Sequence, residues 1–331
     1  MRHVLLFLLL SLPLAAAPVD PVIARTRARL TELNKTAGPA NAYTQLRDVM
    51  LGKDSPVRAE AKPLAQYLSI WPETKTTLQK IRESKTFAAD RAKFEKVARQ
   101  VGPALQLPVF YAPQNFQQDT VPNWLGLRTY CMAQNVLGIY LLSQGKDGLE
   151  QIGNSLISAQ RISGNGILIQ QMIALNVNNA ACESLFQVLQ EQPKLALVPM
   201  QKLQQRLQKF PLPKAGMANA LDIEELWFAT RLGDDEPKAL ATYTRFHAKW
   251  RSKVENLTPT DTWKADYLEE RDEVIATSIM FMGMNEIDYT ILTNHWREGL
   301  ERRQLLDLLL SLEIAKQQKG VYPTVVKTLP D

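Results

Sequence analysis

A chain of 331 residues, 45% hydrophobic and 22% charged, can bury a sizeable core and is not disordered as a whole. With 15 Gly, 19 Pro and two Cys it is not collagen-like, not a disulfide-dense scaffold and not a holder of a four-cysteine zinc site. Three histidines leave little material for a His-rich metal centre, and a net charge of +5 is mild at this length.

Residues 1–17 have the layout of a secretory signal peptide. Arg2 and His3 open it, Val4 to Leu14 is apolar apart from Ser11, and Ala15, Ala16 and Ala17 supply small residues for cleavage. The apolar run falls short of the roughly 20 residues that span a bilayer. Pro18 after Ala17 disfavours the cut, so an inner-membrane anchor through residues 4–14 is the second expectation. No cysteine follows the run, and a lipoprotein anchor is not expected. The expected location is the periplasm, or outside the cell.

Helical punctuation recurs along the chain. Asp20-Pro21 opens a helix that Gly38-Pro39 closes, and Ser55-Pro56 and Trp71-Pro72 repeat the opening. Thr86 starts a helix through Phe87, Phe94, Val97 and Val101, to Gly102-Pro103. Residues 103–122 carry four prolines and read as a long connection. Asn123 caps a helix to Gln144 that Gly145 ends; Asp147 caps the next, to about Ser163; Gly164-Asn165-Gly166 leads into a third that ends near Pro193. Ile162 to Cys182 holds no charge, yet six amides make it a buried protein helix and not a membrane span. Further helices are expected at 199–209, 217–232, 236–256, 261–282, 286–298 and 300–319, with Val321 to Val326 as the one short strand candidate. The predicted class is all-α, a helical-hairpin array of about a dozen helices. Its regions are 1–17 (signal peptide), 18–102 (basic, helical), 103–122 (connection), 123–193 (central hairpins) and 194–331 (C-terminal helices).

Charge is uneven. Residues 22–110 hold sixteen Lys/Arg against eight Asp/Glu, whereas 111–190 hold only three against four. The middle is therefore expected to be the buried heart. Leu127, Cys131, Leu137, Leu141, Leu149, Ile152, Leu156, Ile169, Ile173 and Leu185 are expected out of water. The amides Asn135, Gln170, Gln171, Asn176 and Asn179 are expected to bridge helices or to line a small polar cavity. The basic first third reads as a solvated face, with acidic lipid or polysaccharide as the lesser reading. No recognition helix or aromatic-interleaved basic stripe is present, so nucleic acid is not an expected partner.

The joint Leu141-Leu142-Ser143-Gln144-Gly145-Lys146-Asp147-Gly148 is that of a tetratricopeptide-type hairpin, although no period of about 34 residues accompanies it. Val121-Pro122-Asn123-Trp124, Leu127-Arg128, the Gly145 turn, Arg161-Ile162-Ser163, Leu168-Ile169-Gln170-Gln171 and Ala180-Ala181 together resemble a family of uncharacterised, exported bacterial helical proteins. The ending Gly320-Val321-Tyr322-Pro323 resembles that family's G-x-Y-P-x-x-L close, with Val326 in place of the last leucine, and is similar to a segment of type II secretion pseudopilins. Relatives continue into a short polar strand region where this chain stops at Asp331. The resemblance implies a helical fold and an envelope location, and it implies no catalytic residue.

The chemistry-bearing candidates are few. Asp266 with Glu270, and Glu269 with Glu273, stand one turn apart and could hold a hard cation or act as paired carboxylates, with Lys264 and Arg271 among them. His295 shares a face with Glu298. His247 has no carboxylate three or four residues away and reads as an ordinary core or surface histidine. Asp222, Glu224 and Glu225 read as acids near a helix start. Cys131 and Cys182 would meet an oxidising compartment. If helices 123–144 and 166–192 run parallel, the two lie about 12 and 24 Å along them, too far apart for a bond that needs Cα atoms within about 7 Å; an antiparallel bundle removes the objection. The expected function is a noncatalytic binding or scaffolding module for a protein or envelope polymer, without cofactor. The alternative is an envelope hydrolase or metal-assisted enzyme using the 266–273 carboxylates.

Overall fold

The computed structural model describes residues 21–36, 41–47, 57, 62–67, 76–105, 107, 111, 125–164, 166–191, 195–232, 236–258, 260, 262–277 and 288–323. The signal-like segment, its cleavage point, the Ser55-Pro56 and Trp71-Pro72 openings and most of the 103–122 connection lie outside them. The described residues form twelve α-helices and one 3-10 turn, with no strand among them. The chain is all-α.

Chain order runs α1 (Pro21–Thr36), α2 (Ala42–Leu46), the 3-10 turn Lys62–Gln66, α3 (Thr77–Glu83), α4 (Phe87–Leu105), α5 (Leu125–Ser143) and α6 (Leu149–Ile162). There follow α7 (Leu168–Glu191), α8 (Leu197–Lys209), α9 (Gly216–Leu232), α10 (Pro237–Glu255), α11 (Lys264–Ile275) and α12 (Tyr289–Lys319). Local chemistry explains most of the ends. Thr76 and Gln79 make a reciprocal capping box on α3, two donors satisfied at once. Asp288 accepts the first N–H groups of α12, and Gly320 closes it at φ 77°. Gly145, at φ 69°, makes the turn out of α5, and the Asp147 carboxylate accepts Leu149 N–H at 3.1 Å at the start of α6.

Helices α5, α6 and α7 pack mutually at the centre. Ser155 donates to the Cys131 carbonyl at 3.2 Å, so α5 and α6 run antiparallel as a hairpin should. Helices α3 and α4 lean on α5, α8 leans on α6, and α9 touches α7, carries α10 and takes α1 on its flank; α10 in turn carries α11. Two large apolar clusters result, one around α4–α8 and one around α9–α11. The 31 residues of α12, about 46 Å at 1.5 Å per residue, join them. Its first half gives Tyr289, Leu292 and Trp296 to the second cluster and its last half gives Leu306, Leu310 and Ile314 to the first.

Several expectations need correction. The helices expected at 286–298 and 300–319 are one, because Gly299 is a packing site and not a break. A Cβ there would lie 2.3 Å from Leu175 Cδ1, and the Gly299 carbonyl accepts Asn178 Nδ2 at 3.0 Å. Helix α4 runs on through Gly102 and Pro103 to Leu105, since a proline in the last turn costs one backbone bond without ending the coil. The helix expected to reach 282 ends at Ile275. Ile169 is 47% exposed and Leu141 is half-buried, whereas the other eight expected core residues are buried. The reason for Ile169 is register: α7 turns Leu168, Gln171, Leu175 and Asn178 inward and leaves Ile169, Met172 and Asn176 to solvent. Of the amides expected to bridge, Gln170 and Gln171 bond locally at the start of their own helix, neither side-chain atom of Asn135 has a hydrogen-bond partner, and Asn176 is exposed; the bridge is made by Asn178. Gln170 Oε1 accepts Ile167 N–H at 2.8 Å, Gln171 Nε2 donates to the Gly166 carbonyl at 3.3 Å, and Asn178 ties α7 to α12.

Candidate functional site

The acidic run lies on α11 and forms one wall of a groove of about 460 Å³ against α10. Asp266, Glu269, Glu270 and Glu273 line one side, Thr242, Arg245 and Lys249 the other, with Phe246 and Val274 at the floor. Beneath it stands an aromatic stack: Trp250 and Trp263 have ring centroids 5.1 Å apart, Tyr267 meets both edge-on, and Phe246 lies 5.5 Å from Tyr267. The stack packs α10 against α11 beneath the groove. The four carboxylates are not equivalent. Glu270 receives Lys249 Nζ on one oxygen and Trp250 Nε1 on the other, the latter at 3.0 Å. Asp266, Glu269 and Glu273 are exposed. Among the described residues no three His, Cys, Asp or Glu side chains stand where they could hold one metal ion.

A second polar group was not visible as such in the sequence. Asp222 and Glu225, one turn apart on α9, face His247 and Arg251, one turn apart on α10, and all but Arg251 are almost wholly buried. Arg251 donates to both Asp222 oxygens, Nη2 at 2.9 Å, and also reaches Glu255 at 2.6 Å. That pairing holds the Arg251 guanidinium above its ordinary range. His247 Nδ1 lies 2.9 Å from Glu225 Oε2, at an angle poor for a hydrogen bond, and Nε2 lies 3.8 Å from Asp222 Oδ1. Arg29 of α1 approaches from the flank, donating to the Asn219 carbonyl at 3.5 Å and feeling the charge of Asp222. These acids are in the second and third turns of a helix that begins at Gly216, so the reading of a helix start gives way to a buried ionic network. The signal missed was a complementary pair of spacings, Asp-x-x-Glu on one helix and His-x-x-x-Arg on the next.

Family models, curated proteins and solved structures offer no match to this chain.

The other candidates stay local. His295 Nδ1 and Glu298 Oε2 are 3.6 Å apart with both side chains more than half exposed. Cys131 and Cys182 are both free and buried, and burial pushes their thiols up to about 12 and about 11, out of the reactive range. The Gly320-Val321-Tyr322 ending folds back on α12: Tyr322 donates to Glu313 Oε1 at 2.5 Å and accepts from Lys316 Nζ at 2.9 Å. No helix of the described residues is long and apolar enough to cross a membrane.

Glu224 is the carboxyl with the clearest pH signature. Burial pushes it up to about 7, although the Leu168 N–H at the start of α7 donates to Oε1 at 3.2 Å and favours its charged form. The folded protein therefore binds more protons than the unfolded chain between the ordinary 4.5 and about 7. Stability falls as pH rises through that window and is level above it, with a total of order 1–3 kcal/mol. Urea midpoints for Glu224→Gln at pH 5 and pH 7.5 should differ less than those of the parent. An equal difference in both proteins would remove Glu224 as the source.

Proposed function

We propose that the chain is an exported, noncatalytic helical module that binds a protein or polymer of the bacterial envelope. The observation that carries this reading is the α10–α11 groove, whose two walls bear opposite charge over a buried aromatic stack. Such a surface suits a partner with both cationic and anionic groups. Export and an envelope location rest on the layout of residues 1–17 and on the resemblance to exported helical proteins with a G-x-Y-P ending. The second reading, a hydrolase or metal-assisted enzyme, has the same carboxylates in its favour. Against it stands Glu270, the half-buried member of the four, which is already engaged by Lys249 and Trp250.

The test is in-cell photo-cross-linking from position 269, in the groove, with position 208 on the exposed face of α8 as control. A discrete cross-linked species from 269 and not from 208 is the expected result, together with no stoichiometric metal in the purified protein. Identical background from both positions overturns the binding reading. A stoichiometric divalent ion that is lost in Glu270→Gln replaces it with the enzyme.

A further inference from the structure

A second groove, of about 480 Å³, lies between α6 and α8. The two helices run parallel there: Arg206 Nη2 donates to Asn154 Oδ1 at 2.7 Å, and farther along both helices the Arg161 guanidinium lies 5.5 Å from the centre of the Phe210 ring. One turn before the Asn154–Arg206 contact, Glu150 and Lys202 therefore stand level on opposite sides of the groove, and Asp147 precedes Glu150 at the start of α6. Gly153 lets α8 approach, since a Cβ there would stand 2.8 Å from Leu203 Cδ1 and 3.4 Å from Arg206 Nη1. Near Arg206 stands a second cation, Arg161, held below its ordinary range by burial and by the charge of Arg206. The charges across this groove do not meet. Among the described residues none of Asp147, Glu150, Lys202 and Arg206 takes part in an ion pair; Arg206 bonds a neutral amide, and Asp147 Oδ1 accepts the Leu149 N–H. In the α10–α11 groove, by contrast, Lys249 closes directly on Glu270. The space between acid and base in the α6–α8 groove suits a molecule that carries both charges.

We infer that the α6–α8 groove binds a short zwitterionic peptide of two or three residues, its carboxylate on Arg206 and Lys202 and its ammonium on Asp147 and Glu150. The span sets the length. Glu150 and Asn154 are four residues apart on α6, about 6 Å, and Asp147 lies farther back. An extended chain advances about 3.3–3.6 Å per residue, so two or three residues carry an ammonium from the acids to a carboxylate at Arg206. The charges of a single amino acid stand too close together to reach both ends. With Nη2 held by Asn154, Arg206 keeps Nη1 and Nε for the two carboxylate oxygens, a planar fork that matches them. Between the two ends Leu149, Leu203 and Pro199 give apolar contact for small side chains. Leu149 and Leu203 belong to the first apolar cluster and the α10–α11 stack to the second, so this site does not depend on what the other groove binds.

The experiment is calorimetric titration of the full chain at pH 7 and low ionic strength with trialanine, N-acetyl-trialanine, trialanine amide and alanine. Trialanine should saturate one site, and capping either end should weaken it about tenfold or more, the worth of a hydrogen bond to a charged group. Alanine should bind more weakly than trialanine by a similar factor. In Arg206→Gln the preference for trialanine over its amide should shrink, and in Glu150→Gln the preference over the acetylated peptide should shrink, with far-UV dichroism unchanged in both. Glu150 is exposed, so its variant carries the test should Arg206→Gln fail to fold. Glu269→Gln, in the other groove, should leave all four titrations unaltered. No saturable heat from trialanine at millimolar concentration, equal affinity for capped and uncapped peptides, or alanine binding as tightly as trialanine overturns the assignment. So does binding that is lost in Glu269→Gln and kept in Glu150→Gln, which places the peptide in the α10–α11 groove. Cross-linking from position 269 reads that other groove, and either result can fail without the other.

Discussion

Trp250→Ala is expected to lower the unfolding free energy by about 3–5 kcal/mol, the range for truncation of a buried tryptophan. Trp250 is fully buried and is the hub of the second apolar cluster. It stacks on Trp263, meets Tyr267 edge-on at 5.5 Å, and carries the Lys249 and Lys253 ammonium groups 4.7 Å over its ring. Aromatic pairs of this geometry contribute about 0.5–1.5 kcal/mol beyond the area that they bury. The indole also donates to Glu270, so its loss leaves that carboxylate with Lys249 and loosens the wall of the groove. Trp250→Phe keeps one aromatic ring in the stack while deleting the N–H and the second ring, and should cost less than the alanine variant. Urea titration read by far-UV dichroism gives the answer. A shift below about 1 kcal/mol for the alanine variant would mean that the α10–α11 unit does not unfold with the rest, although α12 joins the two apolar clusters.

Gly148→Ala is the second large effect, about 3 kcal/mol or more, at the upper end of overpacking. The residue sits at φ −102°, where alanine is at ease, so conformation is not the obstacle. Contact is. A Cβ at 148 would stand 2.0 Å from the Gly138 carbonyl oxygen and 2.9 Å from Leu142 Cγ, and one at 138 would stand 2.5 Å from Ile152 Cγ1 and 2.6 Å from the Gly148 oxygen. Backbone cannot swing aside as a side chain can, so α5 and α6 must separate. Gly145→Ala is the internal control. Its φ of 69° strains an L residue, yet nothing lies within 4 Å of the added carbon, and the cost should be about 1 kcal/mol. Equal destabilisation by the two would show that the turn, and not the helix crossing, limits this hairpin.

The glycines show how far the sequence alone reaches. Gly145 and Gly320 were legible as helix ends, because a left-handed residue after an apolar run is a local requirement of the backbone. Gly299 and Gly148 look the same in sequence, but one is the point where α7 meets α12 and the other the point where α6 meets α5. Helix class, most helix ends and the buried centre followed from capping residues, period and the scarcity of charge between 111 and 190, all of which act within a few residues or a single segment. The acidic wall of the groove was legible for the same reason, being one helix face. Its opposite wall, Arg245 and Lys249, was not. Nor were the Asp222–Arg251 and Glu225–His247 contacts, whose partners lie 29 and 22 positions apart. Local rules settle what a segment becomes. Which polar groups must satisfy each other out of water is decided by helix crossings, and those are set by packing over the whole fold.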